Sequence, residues 1–350
     1  MAPGAAMPPP RKSRGRCGDC CRWVVMSTAV AFVAMRAAMR MPAAPSPPDV
    51  SIRLDVPGWD STLRSHLAEH GYVHVRRLLN RTDAEGLRRL AQGYCYGEKR
   101  KALPLSWGGY TVPGFLELPE FIGARWLLED SRLHQVLGAM FNGAEYRFAS
   151  HNDIGCDFVG VWHKDILRGP VKKYQTHDLW TPDEQGDRHE IYKVLFYLQD
   201  HDDDSRSVKV VPGSHATRDI SLERGYATLH PRLGDAVVID QRISHAGNSF
   251  YDPFGSGRMF MQIGFGKANV FTDEFERGTV ERQQGYQAKM LSKSQIRGFD
   301  TFLVDVKFTV FGMVFAALPP QLLNSFADID VKKYAFIGKL IFGSNAAAQK

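Results

Sequence analysis

Two histidines, one carboxylate and one arginine occur along the chain in an order that could build a metal site. His163 and Asp165 are separated by one residue, His245 follows much later, and Arg258 comes after it. Two imidazoles and one carboxylate on one side of an iron ion leave three positions open for a co-substrate and dioxygen. The downstream guanidinium could bind a dicarboxylate. These residue types indicate a mononuclear non-haem iron site at His163, Asp165 and His245.

The pattern of a histidine followed two residues later by an aspartate occurs three times, at 151–153, 163–165 and 201–203. The middle run ends the segment 158–165, whose alternate residues share one face if the segment is a β-strand. This periodicity predicts a strand that delivers both ligands to the same side. The run at 201–203 lies in an acidic stretch that is typical of a solvated turn. The run at 151–153 is the rival pair of ligands.

The surroundings of the two later residues agree with a buried site. His245 follows a Gly-Asp turn and an apolar segment at 236–240, and Arg258 begins another apolar segment. A guanidinium that faces the interior of an apolar barrel is costly to bury unless it meets an anion. We therefore predict that Arg258 binds a carboxylate of a dicarboxylate co-substrate.

Four segments of the chain follow one another as the motifs of an enzyme family do. They are a helix, strand and helix at 63–90, Trp-His-Lys-Asp at 162–165, Val-Val-Pro-Gly-Ser-His at 210–215, and a Gly-Asp strand that ends at His245. Together they resemble the phytanoyl-CoA dioxygenase family of iron(II)- and 2-oxoglutarate-dependent oxygenases. The resemblance runs from residue 55 to residue 267, approximately.

The resemblance implies that His163, Asp165 and His245 bind iron(II), that Arg258 binds 2-oxoglutarate, and that dioxygen is the oxidant. Family members that halogenate leave the carboxylate position empty for a halide, so an intact Asp165 favours hydroxylation. The expected substrate is a small or lipid-like molecule that is hydroxylated at an unactivated carbon.

The resemblance also suggests further contacts to 2-oxoglutarate. Many relatives have a serine two residues after the distal histidine, where this chain has Gly247. Asn248 could supply the missing hydrogen bond. The family often holds the other end of 2-oxoglutarate with a polar residue on an earlier strand, and Asn152 and Lys193 are the candidates here.

Hydrophobic periodicity predicts a mainly β fold with supporting helices and a double-stranded β-helix core, that is, a cupin-like jelly roll. Seven or eight short strands suffice for this fold. We predict strands at 146–154, 158–165, 191–198, 207–211, 236–240, 243–249 and 258–265. A capping box at 82–85 predicts the start of one supporting helix, and residues 119–141 predict two more that are broken near Asp130.

The long connection at 166–190 leaves the proposed ligand strand immediately after Asp165. Connections of this length inside a compact domain are usually functional or disordered. Because it must begin at the mouth of the barrel, we predict that it forms a lid over the substrate.

The chain divides into two parts. We predict that residues 1–48 are a basic and apolar targeting or anchor segment with a Pro-rich linker. The resemblance implies that residues 49–350 form an oxygenase domain, with a jelly-roll core at about 146–267 and a C-terminal helical extension at 268–350. The apolar run at 23–35 is short for a membrane span but fits a signal peptide, a signal anchor or a transit peptide. We expect an organellar or secretory-pathway membrane location through this segment, and otherwise a cytoplasmic one.

Charge and cysteine usage exclude other classes. Residues 1–45 hold seven basic residues and one acid, which leaves 37 of each in the rest of the chain. The folded part therefore has no excess of basic residues for a nucleic-acid surface. Three of the five cysteines lie in the leading segment, and the remaining two, Cys95 and Cys156, imply no disulfide framework.

Two other functions could use the same fold or ligands. One is a jelly-roll protein that binds a ligand without chemistry, which has no need for three metal ligands. The other is a zinc-dependent hydrolase, which activates water at the same three side chains but gives no role to Arg258. The apolar segment at 308–318 is expected to pack in a core or to form an apolar surface.

Overall fold

The computed structural model describes residues 50–96, 103–104, 109–157, 160, 162–202, 207–220, 222, 225–247 and 257–292. The strands are β1 (Ser51–Ile52), β2 (Tyr72–Val75), β3 (Leu103–Pro104), β4 (Tyr110–Pro113), β5 (Tyr146–Cys156), β6 (Ile191–Tyr197), β7 (Val208–Val210), β8 (Ala227–Leu229), β9 (Ala236–Asp240), β10 (His245–Ala246) and β11 (Met259–Lys267). The α-helices are α1 (Trp59–His70), α2 (Arg81–Cys95), α3 (Ser131–Met140), α4 (Gly169–Lys173) and α5 (Val270–Ser292). The predicted targeting segment and the apolar segment at 308–318 lie outside the described residues.

The strands form two sheets. The larger has the order β1-β2-β9-β6-β11-β5-β4-β3, and the smaller has the order β10-β7-β8. An isolated antiparallel bridge between His163 and His245 places the His163 segment beside β10, at the edge of the smaller sheet. Apolar side chains of both sheets share one buried cluster that includes Leu195, Tyr197, Val208, Val210, Val237, Ile239 and Phe260. This arrangement confirms the predicted jelly-roll fold.

Helices cover the other face of the large sheet. Leu63 of α1, Leu87 of α2 and Leu133 of α3 pack in one cluster with Val194 and Ile263 of the sheet. This contact buries the apolar stripe of each helix, which confirms the predicted supporting layer.

Two helix boundaries show how local chemistry sets the ends. A 3-10 helix over Pro119–Glu129 ends at Asp130, whose carboxylate accepts a hydrogen bond from the backbone N of Leu133 at the start of α3. This confirms the break near Asp130. The predicted capping box at 82–85 was wrong as the start of α2, because Asn80 is the N-cap and accepts from the backbone N of Asp83 at 2.9 Å.

Most predicted strands are present, but the described end of one of them, at 162–165, is not a continuous strand. Among the described residues of the segment 158–165, His163 makes an isolated bridge to His245, and Asp165 begins a 3-10 helix over Asp165–Leu167. Alternation therefore does not describe the spacing of the two ligands. The strand predicted at 243–249 is limited to His245–Ala246 among its described residues, and β4 and β8 were not predicted.

The connection at 166–190 is anchored at one end of the barrel. Ile166 and Leu179 pack in a buried cluster with Ile191 of β6 and Phe275 of α5. Glu281 of α5 accepts hydrogen bonds from Lys173 at 2.8 Å and from Tyr174 at 2.5 Å. The first helix of the predicted C-terminal extension therefore holds the predicted lid segment.

The sequence was interpreted as having no disulfide framework, but Cys95 and Cys156 form a disulfide. The bond joins the end of α2 to the end of β5 and closes a chain separation of 61 residues. Within the described residues, no helix is long and apolar enough to cross a membrane.

Candidate metal centre

His163, Asp165 and His245 converge at one point. One ligand atom from each residue lies within 4.8 Å of the others. The Asp165 carboxylate lies 3.2 Å from Nε2 of His163 and 3.4 Å from Nε2 of His245. Ligands at 2.0–2.2 Å from one ion in neighbouring positions are separated by about 3 Å. The three side chains therefore fit one divalent metal with little movement, and the sequence-predicted ligands are brought together.

The backbone positions the two imidazoles side by side. The backbone N of His163 donates to the carbonyl of His245 at 3.0 Å, and the backbone N of His245 donates back at 2.9 Å. Because these two residues exchange hydrogen bonds, their rings share one side, with centroids 4.2 Å apart. The 3-10 turn that starts at Asp165 then bends the carboxylate toward them.

Hydrogen bonding prepares His245 for a metal. Its Nδ1 donates to the carbonyl of Ile243 at 3.1 Å, which leaves the lone pair on Nε2 facing Asp165. Burial, followed by the neighbouring His163, lowers the pKa of His245 well below its usual value. The neutral imidazole is the form that binds metals.

Lys193 of β6 lies at the same carboxylate. Its ammonium donates to Asp165, and its side chain is almost fully buried. Burial alone would raise the pKa of Asp165, but Lys193 and the two histidines hold it well below its usual range. Asp165 is therefore ionised, and the structure brings one of the two candidate 2-oxoglutarate residues to the site.

Asn152, the other candidate, does not join the site. Its Oδ1 accepts from the backbone N of Leu116 at 2.8 Å, and its Nδ2 donates to Glu117 at 2.9 Å. Along β5 it shares a face with Ile154, which packs in the cluster beneath the helices. Its assignment to 2-oxoglutarate is corrected for this reason, since its amide is used to hold a 3-10 turn on the far side of the sheet.

Arg258 precedes β11 and shares the inner face of that strand with Phe260, whose ring centroid is 5.0 Å from the guanidinium carbon. It is 2% exposed. Burial lowers the pKa of Arg258, and the opposing effects of Tyr197 and Asp157 do not outweigh it. Lys193 pairs with Gly264, further along β11, so the two cations lie at different positions along the strand.

Two arginines with partly exposed side chains are compensated differently. Burial also acts against the charge of Arg242 and of Arg282, but Asp240 and Asp153 outweigh it, and both arginine pKa values are raised. The corresponding ion-pair distances are 2.7 Å and 2.5 Å. Arg258 thus keeps a buried charge that its protein neighbours offset only in part.

The rival pair at 151–153 does not form a metal site. His151 lies 3.3 Å from Asp153, but the same carboxylate oxygen accepts from Arg282 at 2.5 Å and from Gln262 at 3.0 Å. A guanidinium in that position excludes a cation. His201, predicted in a solvated turn, is instead buried and bonds to Gln199.

Gln241 is a residue of this region that sequence reasoning missed. It continues the inner face of β9 after Val237 and Ile239, and it is fully buried. Within the described part of the chain, neither its Oε1 nor its Nε2 has a hydrogen-bond partner. Its backbone carbonyl accepts from the N of Ile166, next to Asp165, at 3.4 Å. The two-residue period of β9, extended past its last residue, could have identified it.

No family model matches the chain, and no curated protein matches it, so membership of the phytanoyl-CoA dioxygenase family stays a prediction. Among solved structures, the chain is similar to SnoN, a non-heme alpha ketoglutarate dependent epimerase from nogalamycin biosynthesis, with 18% identity over 61% of this chain and 84% of that chain and a TM-score of 0.46. It is also similar to HygX from Streptomyces hygroscopicus, with nickel and 2-oxoglutarate bound, with 17% identity over 58% of this chain and 85% of that chain and a TM-score of 0.43. Because both TM-scores are below 0.5, these similarities carry no argument about function, and the proposed function rests on the geometry of the site.

Proposed function

We propose that the chain is an iron(II)- and 2-oxoglutarate-dependent oxygenase that hydroxylates a small or lipid-like molecule. The observation that carries this proposal is the buried convergence of His163, Asp165 and His245. Two imidazoles and one ionised carboxylate suit ferrous iron and occupy three positions of its coordination sphere. The remaining positions are available to a chelating co-substrate and dioxygen.

Buried charge supports a dicarboxylate as the co-substrate. Lys193 offsets Asp165, so a divalent metal leaves the site with a net positive charge. Arg258 adds a second buried cation whose burial is only partly offset. A dianion that chelates the metal and reaches Arg258 would offset two of these three positive charges. We assign the distal carboxylate of 2-oxoglutarate to Arg258 and a position near the metal to Lys193.

Ferrous iron with 2-oxoglutarate would supply an oxidant for an unactivated carbon, converting a C–H bond, 2-oxoglutarate and dioxygen into an alcohol, succinate and carbon dioxide. The residues of this chain bind, orient and shield. The amide of Gln241, which has no hydrogen-bond partner among the described residues, is assigned to the molecule bound at the metal as part of this proposal. The intact Asp165 favours hydroxylation over halogenation because the third protein ligand is present.

Anaerobic addition of ferrous iron and then 2-oxoglutarate tests the proposal. The expected result is a visible metal-to-ligand charge-transfer band that needs both components and disappears in His245→Ala. A zinc-dependent hydrolase or a ligand-binding jelly roll would give no such band. Absence of the band with a protein that retains iron would overturn the co-substrate assignment while leaving the metal site in place.

Substrate and location follow as further proposals. We propose that residues 1–48 target the protein to an organellar or secretory-pathway membrane, because an apolar run there has basic residues on both sides. A screen of metabolites for substrate-dependent succinate release tests the substrate class. Imaging of the full chain and of a chain without residues 1–48 tests the location.

A further inference from the structure

Lys164 lies between two of the proposed metal ligands and is almost completely buried, with 1% exposure. Its ammonium donates to the backbone carbonyl of Ser214 at 2.5 Å and to the backbone carbonyl of Arg242 at 2.6 Å. An ammonium is strongly hydrated, so a lysine is rarely buried without such partners. The position of Lys164 in the chain and the identity of its two partners suggest a role at the metal centre.

Both carbonyls belong to segments that hold His245. Ser214 follows β7, and its Oγ accepts from the backbone N of Ser244 at 2.8 Å. The backbone N of Val211 donates to the carbonyl of Ser244 at 2.9 Å. The loop after β7 is therefore hydrogen-bonded to the residue directly before His245. Arg242 lies in the turn between β9 and β10, three residues before His245. Lys164 therefore contacts the two segments that border the distal ligand.

The backbone ladder alone does not fix all three ligands. The reciprocal hydrogen bonds of His163 and His245 align the imidazoles, but Asp165 lies beyond them in a 3-10 turn. The hydrogen bond from the N of Ile166 to the carbonyl of Gln241 is long, at 3.4 Å. Lys164 lies between His163 and Asp165 in the chain and is covalently linked to both.

We infer that Lys164 is a positioning residue of the metal centre, whose ammonium ties the His163–Asp165 segment to both segments that bring in His245. It does not touch the metal. It sets the spacing of the ligands from outside, as hydrogen-bonded partners of metal ligands do. This inference rests on the proposed metal site.

The test is metal affinity of the full chain, measured with Co²⁺ alone through its visible absorption. Lys164→Met keeps the length of the side chain and removes its donors. We expect the Kd for Co²⁺ to rise by roughly 10- to 100-fold, the usual effect of losing a partner outside the ligand shell. The band shape should also change, because altered ligand spacing changes the coordination geometry. Unfolding of the metal-free protein, followed by circular dichroism, should remain cooperative.

Lys209→Met is the matched control. Lys209 is a buried lysine of β7 that pairs with Ala246, next to His245, but its ammonium donates to the carbonyl of Ser207 at 3.3 Å and not to the two carbonyls that Lys164 contacts. Its removal should leave the Kd for Co²⁺ and the band unchanged. Lys164→Gln keeps a hydrogen-bond donor on a shorter side chain that can reach only one carbonyl, so we expect a Kd between those of the parent protein and Lys164→Met. Because one hydrogen bond is kept, folding should be disturbed less than in Lys164→Met.

The outcomes separate the inference from the proposed function. If the parent protein binds no Co²⁺, the metal site itself is wrong. If the parent binds Co²⁺ and folded Lys164→Met or Lys164→Gln binds it equally well with the same spectrum, Lys164 has no positioning role. An equal loss in Lys209→Met would show that any buried lysine of this sheet matters for folding alone, which also overturns the inference.

Discussion

Replacement of Arg258 by Met separates the stability of the empty protein from co-substrate binding, because the two are expected to change in different directions. Burial lowers the pKa of Arg258 against the partial compensation of Asp157 and Tyr197. An apolar side chain among Phe260 and its neighbours removes that burial penalty. Arg258→Met should therefore unfold at an equal or slightly higher urea concentration than the parent protein.

The same change should weaken the binding of 2-oxoglutarate. A hydrogen bond to a charged group contributes about 1.5 to 3 kcal/mol, and about 1.4 kcal/mol corresponds to a tenfold change in Kd. The Kd for 2-oxoglutarate is therefore expected to rise by about 10- to 150-fold, with iron still bound. Anaerobic titration of the charge-transfer band measures it. A 2-oxo acid without a distal carboxylate should bind the variant and the parent equally.

Arg282→Met is the control for an arginine that has a buried carboxylate partner; the Arg282 side chain itself is 20% exposed. Asp153 outweighs the burial of Arg282 and raises its pKa, so its removal leaves Asp153 without its cation. This change should lower the free energy of unfolding by about 3 to 5 kcal/mol, the usual loss for breaking a buried pair. A Kd for 2-oxoglutarate in Arg258→Met within twofold of the parent value would refute the assignment of the distal carboxylate to Arg258.

Four further outcomes are expected. Asp165→Ala should lose bound iron and turnover, as measured by metal analysis and succinate release, and normal values for both would refute the metal site. Deletion of residues 1–45 should leave iron binding and cooperative thermal unfolding unchanged, whereas a loss of cooperativity would show that the segment packs on the domain. Asp240 is buried, but Arg242 more than offsets the burial and lowers the pKa of Asp240 below 3.8. The contribution of the Asp240 carboxylate to stability should therefore persist above pH 3.8 and be lost as the pH falls through the folded-state pKa. Urea unfolding at neutral and acidic pH should show that the stability of Asp240→Asn falls less steeply in acid than that of the parent protein. Reduction of the bond between Cys95 and Cys156, which are separated by 61 residues, should lower the free energy of unfolding by roughly 2 to 5 kcal/mol, and an unchanged urea midpoint would argue against a stabilising disulfide.

The ligand set could be predicted from sequence because residue type and chain order carry it. His163, Asp165 and His245 meet although, at the described end of the strand predicted for the first two, His163 makes an isolated bridge and Asp165 begins a 3-10 turn. The alternation of side chains along a strand predicted the correct pair of ligands, but the shared strand face on which that prediction rested is not what brings them together. In a strand, residues two apart share a face, but here the turn at Asp165 brings the carboxylate to the imidazole.

Contacts that depend on tertiary placement could not be predicted in the same way. Asn152 and Asp153 are adjacent in β5, so their side chains must take opposite faces, and only the pairing with β11 determines which face is inside. The Cys95–Cys156 bond likewise needs the end of α2 to lie beside the end of β5. Neither condition is visible in local composition or periodicity.

Charge compensation differs among the arginines of the barrel. Arg242 and Arg282 each meet a buried carboxylate that outweighs the effect of burial, so both are satisfied without any bound molecule. Arg258 lies on the inner side of the same barrel with its burial only partly offset. Keeping such a charge lowers the stability of the empty protein, and a bound dianion would restore it. The stability of this chain should therefore increase when 2-oxoglutarate binds with the metal, and Arg258→Met should lose most of that increase.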